Sequence, residues 1–295
     1  TISLHAGRRA VQIDADAHVI HDDRGDQYHY GKLLLATGGE PRRLPFDGDR
    51  VLAYRTLEDY RCLRRHAVEG AHIAVVGGGF IGCEIAAALA INGCTVKMIY
   101  PEERLGARVY PQALSDFIGH YYGEHGIELR AGCKVVSGEQ VGDRVDLILD
   151  EGSRLEVDAV VAGMGVVPEV ALAQAAGARV DNGVLVDECF RTSVPDIYAA
   201  GDIASLPNQA LGRRIRVEHE DAALSSGRVA GRAMAGRPEP YAQLPFFYSD
   251  LFELGFEAVG EVDARLETVA DWKEPFREGV IYYLRGGRVR GVLLW

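Results

Sequence analysis

Twelve residues restrict this chain more than any others: Ile73-Ala74-Val75-Val76-Gly77-Gly78-Gly79-Phe80-Ile81-Gly82-Cys83-Glu84. Four uninterrupted apolar residues predict a strand buried on both faces, as in a parallel sheet. Gly77, Gly79 and Gly82 then supply G-x-G-x-x-G. Ile81, Ile85 and Leu89 fall on one face of a following helix that ends at Asn92-Gly93, and Thr95-Val96-Lys97-Met98-Ile99 reads as a second strand. Gly77 allows a tight turn, Gly79 lets the backbone approach a pyrophosphate, and Gly82 lets helix and strand pack closely. Free N–H groups and the helix dipole are then aimed at the phosphates. Phe80 and Ile81 open that helix and join the candidate residues.

Glu102 follows the second strand in Tyr100-Pro101-Glu102-Glu103-Arg104, where an acid would meet the adenosine ribose hydroxyls. A carboxylate there repels the extra phosphate of NADPH, so NADH is favoured. Arg104 and Arg108 lie close enough to accept a 2′-phosphate and keep the alternative open. Glu84 reads as a first-turn acid of the helix. The dipole there already serves a pyrophosphate, so Glu84 is expected to reach past the phosphates to the nicotinamide end; the alternative is a solvated first-turn acid.

The 295 residues suffice for two domains and a small third, and 47% hydrophobic with 25% charged residues is an ordinary globular composition. A net charge of −11 argues against a nucleic-acid or anionic-membrane binder. Basic residues gather at Arg61/Arg64/Arg65 and in Gly212-Arg213-Arg214-Ile215-Arg216; a solvated face or flavin-phosphate neighbours is the preferred account, a docking patch for an acidic partner the lesser one. Cys62, Cys83, Cys94, Cys133 and Cys189 form no C-x-x-C pair, which excludes a zinc site by spacing and fits a reducing, cytoplasmic setting. No signal peptide is read at the start of the chain, and the apolar stretch Ile73 to Ile91 is too interrupted by glycines and Glu84 to span a membrane.

Residues 1–35 read as short strands, the last being Leu33-Leu34-Leu35, followed by Ala36-Thr37-Gly38-Gly39-Glu40-Pro41-Arg42. Thr56-Leu57-Glu58-Asp59 looks like the cap of a helix running through Ala67. A linker with Pro168 follows Gly165. Thr192-Ser193-Val194-Pro195-Asp196-Ile197-Tyr198-Ala199-Ala200-Gly201-Asp202 contains a strand ending in Gly-Asp, and a long helix is expected from Glu218 to Met234. Beyond Pro240 the chain is strand-rich and aromatic. These segments divide into 1–50, 51–167, 168–240 and 241–295.

The Ala-Thr-Gly-Gly and Gly-Asp segments flank the nucleotide segment. The chain thereby resembles the flavoproteins with two dinucleotide-binding domains, the FAD-dependent pyridine nucleotide-disulfide oxidoreductases. Arg216-Val217-Glu218-His219-Glu220-Asp221-Ala222, Phe246-Phe247-Tyr248-Ser249-Asp250 and Gly255-Phe256-Glu257-Ala258-Val259-Gly260 are similar to the ferredoxin-reductase branch, which includes apoptosis-inducing factor. The resemblance implies an α/β fold: two Rossmann-like domains, the NAD domain (51–167) inserted in an FAD domain (1–50 and 168–240), plus a partial C-terminal α+β domain (241–295). It also implies that both ends are cut short. FAD is implied as cofactor, with Thr37, Gly38, Arg42, Gly165, Asp202, Glu218, His219, Tyr248 and Glu257 among the cofactor-binding residues; Tyr248 stands where many relatives have Trp. The helix opening at Glu218 and His219 would favour the anion of reduced flavin, while the plainer account has Glu218 as a cap and His219 as a packing residue. Packing explains Tyr248 as well.

The implied reaction passes hydride from NADH to flavin and electrons to a small iron–sulfur or rubredoxin-type carrier or a quinone, with no side chain acting as nucleophile. A disulfide reductase and an NADH-responsive binding protein of the apoptosis-inducing-factor type are the alternatives, and a homodimer is left open.

Overall fold

The structure, a computed structural model, describes residues 2–295 and divides into two compact units. One joins 1–39 to 168–247; the other joins 40–167 to 248–295.

The second unit is organised by a five-stranded, wholly parallel sheet. Its order is Val51–Ala53, Ala159–Ala162, His72–Val76, Thr95–Tyr100, Glu128–Ala131. Parallel strands need crossovers, and helices Phe80–Ile91 and Gln112–Glu124 supply two of them. Burial on both faces explains the unbroken apolar runs: Ile73, Ala74 and Val75 have no accessible surface, nor have Val160 and Val161. The order of connection reverses at His72–Val76. The chain leaves that strand toward Thr95–Tyr100 and returns on its other side as Ala159–Ala162, so a crevice opens between the carboxyl ends of the two central strands. Helix Leu57–His66 carries the expected cap as a full capping box, with Thr56 and Asp59 bonding each other's backbone.

An antiparallel five-stranded sheet completes this unit, in the order Phe246–Leu251, Leu254–Gly260, Arg288–Leu294, Glu278–Arg285, Glu267–Glu274. It is fastened to helix Gln112–Glu124 by its hairpin turns. Phe252 packs among Tyr121 (5.8 Å), Tyr122 (5.2 Å) and His125 (4.0 Å), and Phe276 stacks on Phe117 at 5.3 Å. Both phenylalanines have positive φ, +58° and +59°, in a region that favours glycine. The strain is held because each ring is seated in an aromatic cluster. Phe80, Tyr110, Phe256 and Trp295 form a third cluster with centroid separations of 5.6–6.5 Å.

In the first unit, Ala10–Asp14, Val19–Asp22 and Gln27–His29 form an antiparallel meander. Leu33–Leu35 pairs in parallel with Ile197–Ala199, and of the three leucines only Leu35 is buried. A four-stranded sheet, Val180–Asp181, Gly183–Leu185, Ala204–Asn208, Arg213–Arg216, and helix Glu220–Met234 enclose a core around Phe190, Ile197, Ile203 and Ala230. Among the described residues no helix is long and apolar enough to cross a membrane.

Replacing Phe252 separates ring from strain. Phe252→Gly and Phe252→Ala both lose the aromatic contacts, but glycine accepts the positive φ. Thermal or denaturant unfolding should therefore place Gly above Ala by about 1–2 kcal/mol, with both below the parent.

Candidate functional site

The glycine turn sits at the carboxyl end of His72–Val76, at the mouth of the crevice. Gly77 has φ +125°, and a Cβ there would lie 2.3 Å from the Gly163 carbonyl oxygen at the end of the neighbouring strand. A Cβ on Gly82 would meet the Gly77 oxygen at 2.1 Å. Neither position admits a side chain without moving backbone. Gly79 differs, since nothing lies within 4 Å of its virtual Cβ and its φ is −88°. It is the N-cap of helix Phe80–Ile91 and has no side chain to occupy the helix end. The first-turn N–H groups of Ile81 and Gly82 have no partner within the helix. The open space over Gly79 is thus a cradle walled by backbone donors, which fits a pyrophosphate. Ile85 and Leu89 are buried, but Ile81 on the same face is 37% exposed at the helix mouth.

The loop after Thr95–Tyr100 is tied to this turn, because Gly106 N donates to Gly78 O at 2.9 Å. Glu102 lies on that loop and accepts from Arg108 Nη2 at 3.0 Å. Arg104 is taken up by Asp116 (2.6 Å) and Glu103 (3.0 Å).

Glu84 is not a first-turn acid. Because the helix starts at Phe80, Glu84 is its fifth residue and lies beyond the end where the dipole acts, so the expectation of a first-turn carboxylate is corrected. Its Oε1 accepts from Ser249 Oγ at 2.5 Å. Removal from water raises its pKa and the charge of Asp250 raises it further, while the Ser249 hydrogen bond opposes both. The residue is nonetheless exposed. Ser249 was missed in the sequence. It sits between Phe247 and Leu251 on the buried side of its strand, and a hydroxyl in that register needs a partner. Tyr248 (59% exposed) and Glu257 project from the exposed sides of their strands, away from the side that carries Ser249 and Phe256. Arg42 also belongs to this unit, its N–H bonded to Gly165 O at 3.0 Å where Gly165 has φ +83°.

In the first unit, Thr37 Oγ1 donates to Glu169 O at 2.7 Å and Gly38 O accepts from Glu169 N. Asp202 lies in the short 3₁₀ turn after Ile197–Ala199, and Gly201 N donates to Ser226 Oγ of the long helix at 2.9 Å. That helix begins at Glu220 rather than Glu218. His219 is its N-cap, and Glu218 lies outside, ion-paired with Arg216 at 2.5 Å. The expectation that Glu218 opens the helix is corrected for this reason: the Arg216 guanidinium holds it to the preceding strand. Arg216 also donates to Asp202 O at 3.1 Å. His219 stacks on Phe247 at 4.6 Å and makes no side-chain cap, which leaves the helix N–H groups open to an anion. Burial lowers the His219 pKa, with the charges of Glu218 and Asp202 opposing. A glycine-conformation turn, a carboxylate and an uncapped helix end around one strand terminus are groups that fit a flavin's polar side chain and ring edge.

The profile of the pyridine nucleotide-disulphide oxidoreductases matches residues 1–227, and that of the apoptosis-inducing factor C-terminal domain matches 230–275. The chain belongs to the pyridine nucleotide-disulphide oxidoreductase family. It is 33% identical over 300 residues to putidaredoxin reductase of Pseudomonas putida, covering 99% of this chain and 71% of the relative. It is 34% identical to rubredoxin-NAD(+) reductase of the same species, covering 88% and 68%. A crystal structure of a ferredoxin reductase from Rhodopseudomonas palustris superposes with a TM-score of 0.91 at 31% identity, covering 97% of this chain and 72% of that one. This family member is an FAD-dependent oxidoreductase of the ferredoxin-reductase branch, with the α/β fold of Rossmann-type domains.

Two glycines separate binding from folding. Gly79→Ala should leave the unfolding temperature within about 2 °C of the parent but weaken NADH binding at least about tenfold by filling the cradle. Gly82→Ala should lower the unfolding temperature itself, because its methyl meets backbone. A melting curve and a nucleotide titration on each variant check both.

Proposed function

We propose that the protein oxidises NADH at the glycine cradle and delivers the electrons, by way of FAD, to a small iron–sulfur or rubredoxin-type carrier or a quinone. The open helix end over Gly79, placed at the switch point of a parallel sheet, is the observation that carries this reading. The relatives' names, putidaredoxin reductase and rubredoxin-NAD(+) reductase, supply the class of acceptor. Bound FAD supplies a two-electron acceptor that can release electrons one at a time.

The chain's own residues then have distinct tasks. Gly77, Gly79, Phe80, Ile81 and Gly82 hold the pyrophosphate, Glu102 accepts from the adenosine ribose hydroxyls, and Glu84 meets the nicotinamide end. Thr37, Gly38, Arg42, Gly165, Asp202, Glu218, His219, Tyr248 and Glu257 serve the flavin or its contact with nicotinamide. Segments 1–50 and 168–240 are assigned to FAD, 51–167 to the nicotinamide nucleotide and 241–295 to a C-terminal interface domain.

Preference for NADH rests on three ion pairs. Arg108 is engaged by Glu102 and Arg104 by Asp116 and Glu103, so the guanidiniums nearest the ribose site are already neutralised. A 2′-phosphate would have to displace an acid to reach either. Disulfide reduction finds no support among the described residues, where all five cysteines are free. Cys83, beside the cradle, is buried and its thiol is pushed up to about 12, chiefly by burial, so it is not a thiolate at neutral pH. The free cysteines accord with a reducing, cytoplasmic location.

Anaerobic mixing of the flavin-loaded protein with NADH should bleach the flavin's visible absorbance in a single saturable phase; no bleaching would refute the reading. Glu102→Ala should raise the NADPH-to-NADH ratio of kcat/KM by about tenfold or more, since it removes a repelling charge and frees Arg108.

A further inference from the structure

We infer that Ser249 is a positioning residue for the nicotinamide ring: delivered by the C-terminal sheet, its hydroxyl fixes the Glu84 carboxylate so that the second oxygen accepts from the carboxamide N–H₂. This rests on the reading above that Glu84 serves the nicotinamide end.

The geometry assigns the role to Ser249 alone. It is 1% exposed, and its Oγ lies 2.5 Å from Glu84 Oε1. Glu84 Oε2 takes no hydrogen bond from any described residue, so one oxygen is anchored and the other is open. A glutamate on a helix surface has three rotatable side-chain bonds, and immobilising it in advance removes that entropy from the binding step. The anchor also reaches across elements. Glu84 is on the helix that caps the pyrophosphate cradle, whereas Ser249 is on Phe246–Leu251. The side-chain packing of Phe80 against Phe256 at 5.7 Å holds the same helix start to the same sheet. The dinucleotide fold therefore grips the phosphates, and the C-terminal sheet sets where the ring end is received.

Charge has a definite sign here. The groups facing Glu84 are Asp250 from the strand of Ser249, Cys83 from its own helix, and the phenols of Tyr110 and Tyr122. Burial holds the thiol and both phenols neutral at neutral pH, so Asp250 is the charged neighbour, and it disfavours ionised Glu84. The Ser249 O–H donates to the ionised form and counters that effect. Without the hydroxyl, Glu84 protonates at higher pH than in the parent and stops accepting from the carboxamide there.

Calorimetric titration of the purified protein with NAD⁺ and with ADP-ribose, which lacks the nicotinamide, isolates this end of the ligand. Ser249→Ala should weaken NAD⁺ about five- to tenfold, leave ADP-ribose within about twofold, and move the acid-side loss of NAD⁺ affinity to higher pH. Ser249→Thr, which keeps the hydroxyl, should restore both affinity and pH profile, and melting curves should show all variants folded. Equal weakening of NAD⁺ and ADP-ribose by Ser249→Ala would overturn the proposal by showing a merely structural role. Glu84→Ala separates the two layers. If it weakens NAD⁺ selectively while Ser249→Ala does not, the role of Glu84 stands and that of Ser249 falls. If Glu84→Ala is itself unselective, the nicotinamide reading fails and this inference with it.

Discussion

Three backbones meeting without side chains hold the nucleotide site together. Gly77, Gly82 and Gly163 pack so closely that a Cβ on Gly77 or Gly82 would lie within 2.3 Å of a carbonyl oxygen, and one on Gly163 would meet Gly82 N at 2.9 Å. That contact draws the helix start against the ends of two adjacent parallel strands. It thereby sets the direction in which the first-turn N–H groups point. Gly79 is the exception that gives the arrangement a purpose: its missing side chain relieves no clash in the protein and instead leaves room for something else. Of the four glycines in these six residues, Gly77 and Gly82 avoid backbone, Gly78 avoids the Tyr100 ring and Gly79 faces open space, a distinction visible only when each absent Cβ is placed in three dimensions.

The sheet formed by the last fifty or so residues depends on a different device. Two of its three hairpin turns place phenylalanine where glycine would be easier, at a cost of about 1–3 kcal/mol each. The rings offset that strain by entering clusters on helix Gln112–Glu124. Strained turns that are also docking knobs make the sheet's position hard to shift, because relaxing the backbone withdraws the ring. A rigid attachment suits a sheet that contributes a hydroxyl to a carboxylate on the nucleotide helix.

Much of this was readable in the amino-acid order because the strongest local signals and the fold agree. Ile73–Val76 is apolar at every position because both sheet faces are covered; Thr56 and Asp59 cap a helix whose start they predict; and Ile197–Ala199 ends in Gly-Asp where the strand meets its 3₁₀ turn. The errors lie where one residue's neighbours in space differ from its neighbours in sequence. Glu218 follows a helical pattern, yet Arg216, two residues earlier, holds it out of the helix. Glu84 reads as a first-turn acid because it follows the glycine motif directly, yet the helix starts at Phe80 and Glu84 is its fifth residue. Ser249 was hidden beside Tyr248, since an aromatic residue attracts notice while the period-two burial of Phe247, Ser249 and Leu251 shows only in the strand.

Hydrogen bonding, rather than exposure, sets the two acids of this unit apart. Glu102 is partly exposed and ion-paired with Arg108 at 3.0 Å, a contact that salt screens. Glu84 is hydrogen-bonded by a buried serine and sits beside a second carboxylate, in surroundings that penalise its charge. A carboxylate under that penalty gains more from a ligand that donates a hydrogen bond than a fully hydrated one does, because less solvation is given up when the bond forms. The Ser249 hydroxyl, which donates to the ionised form, opposes that penalty.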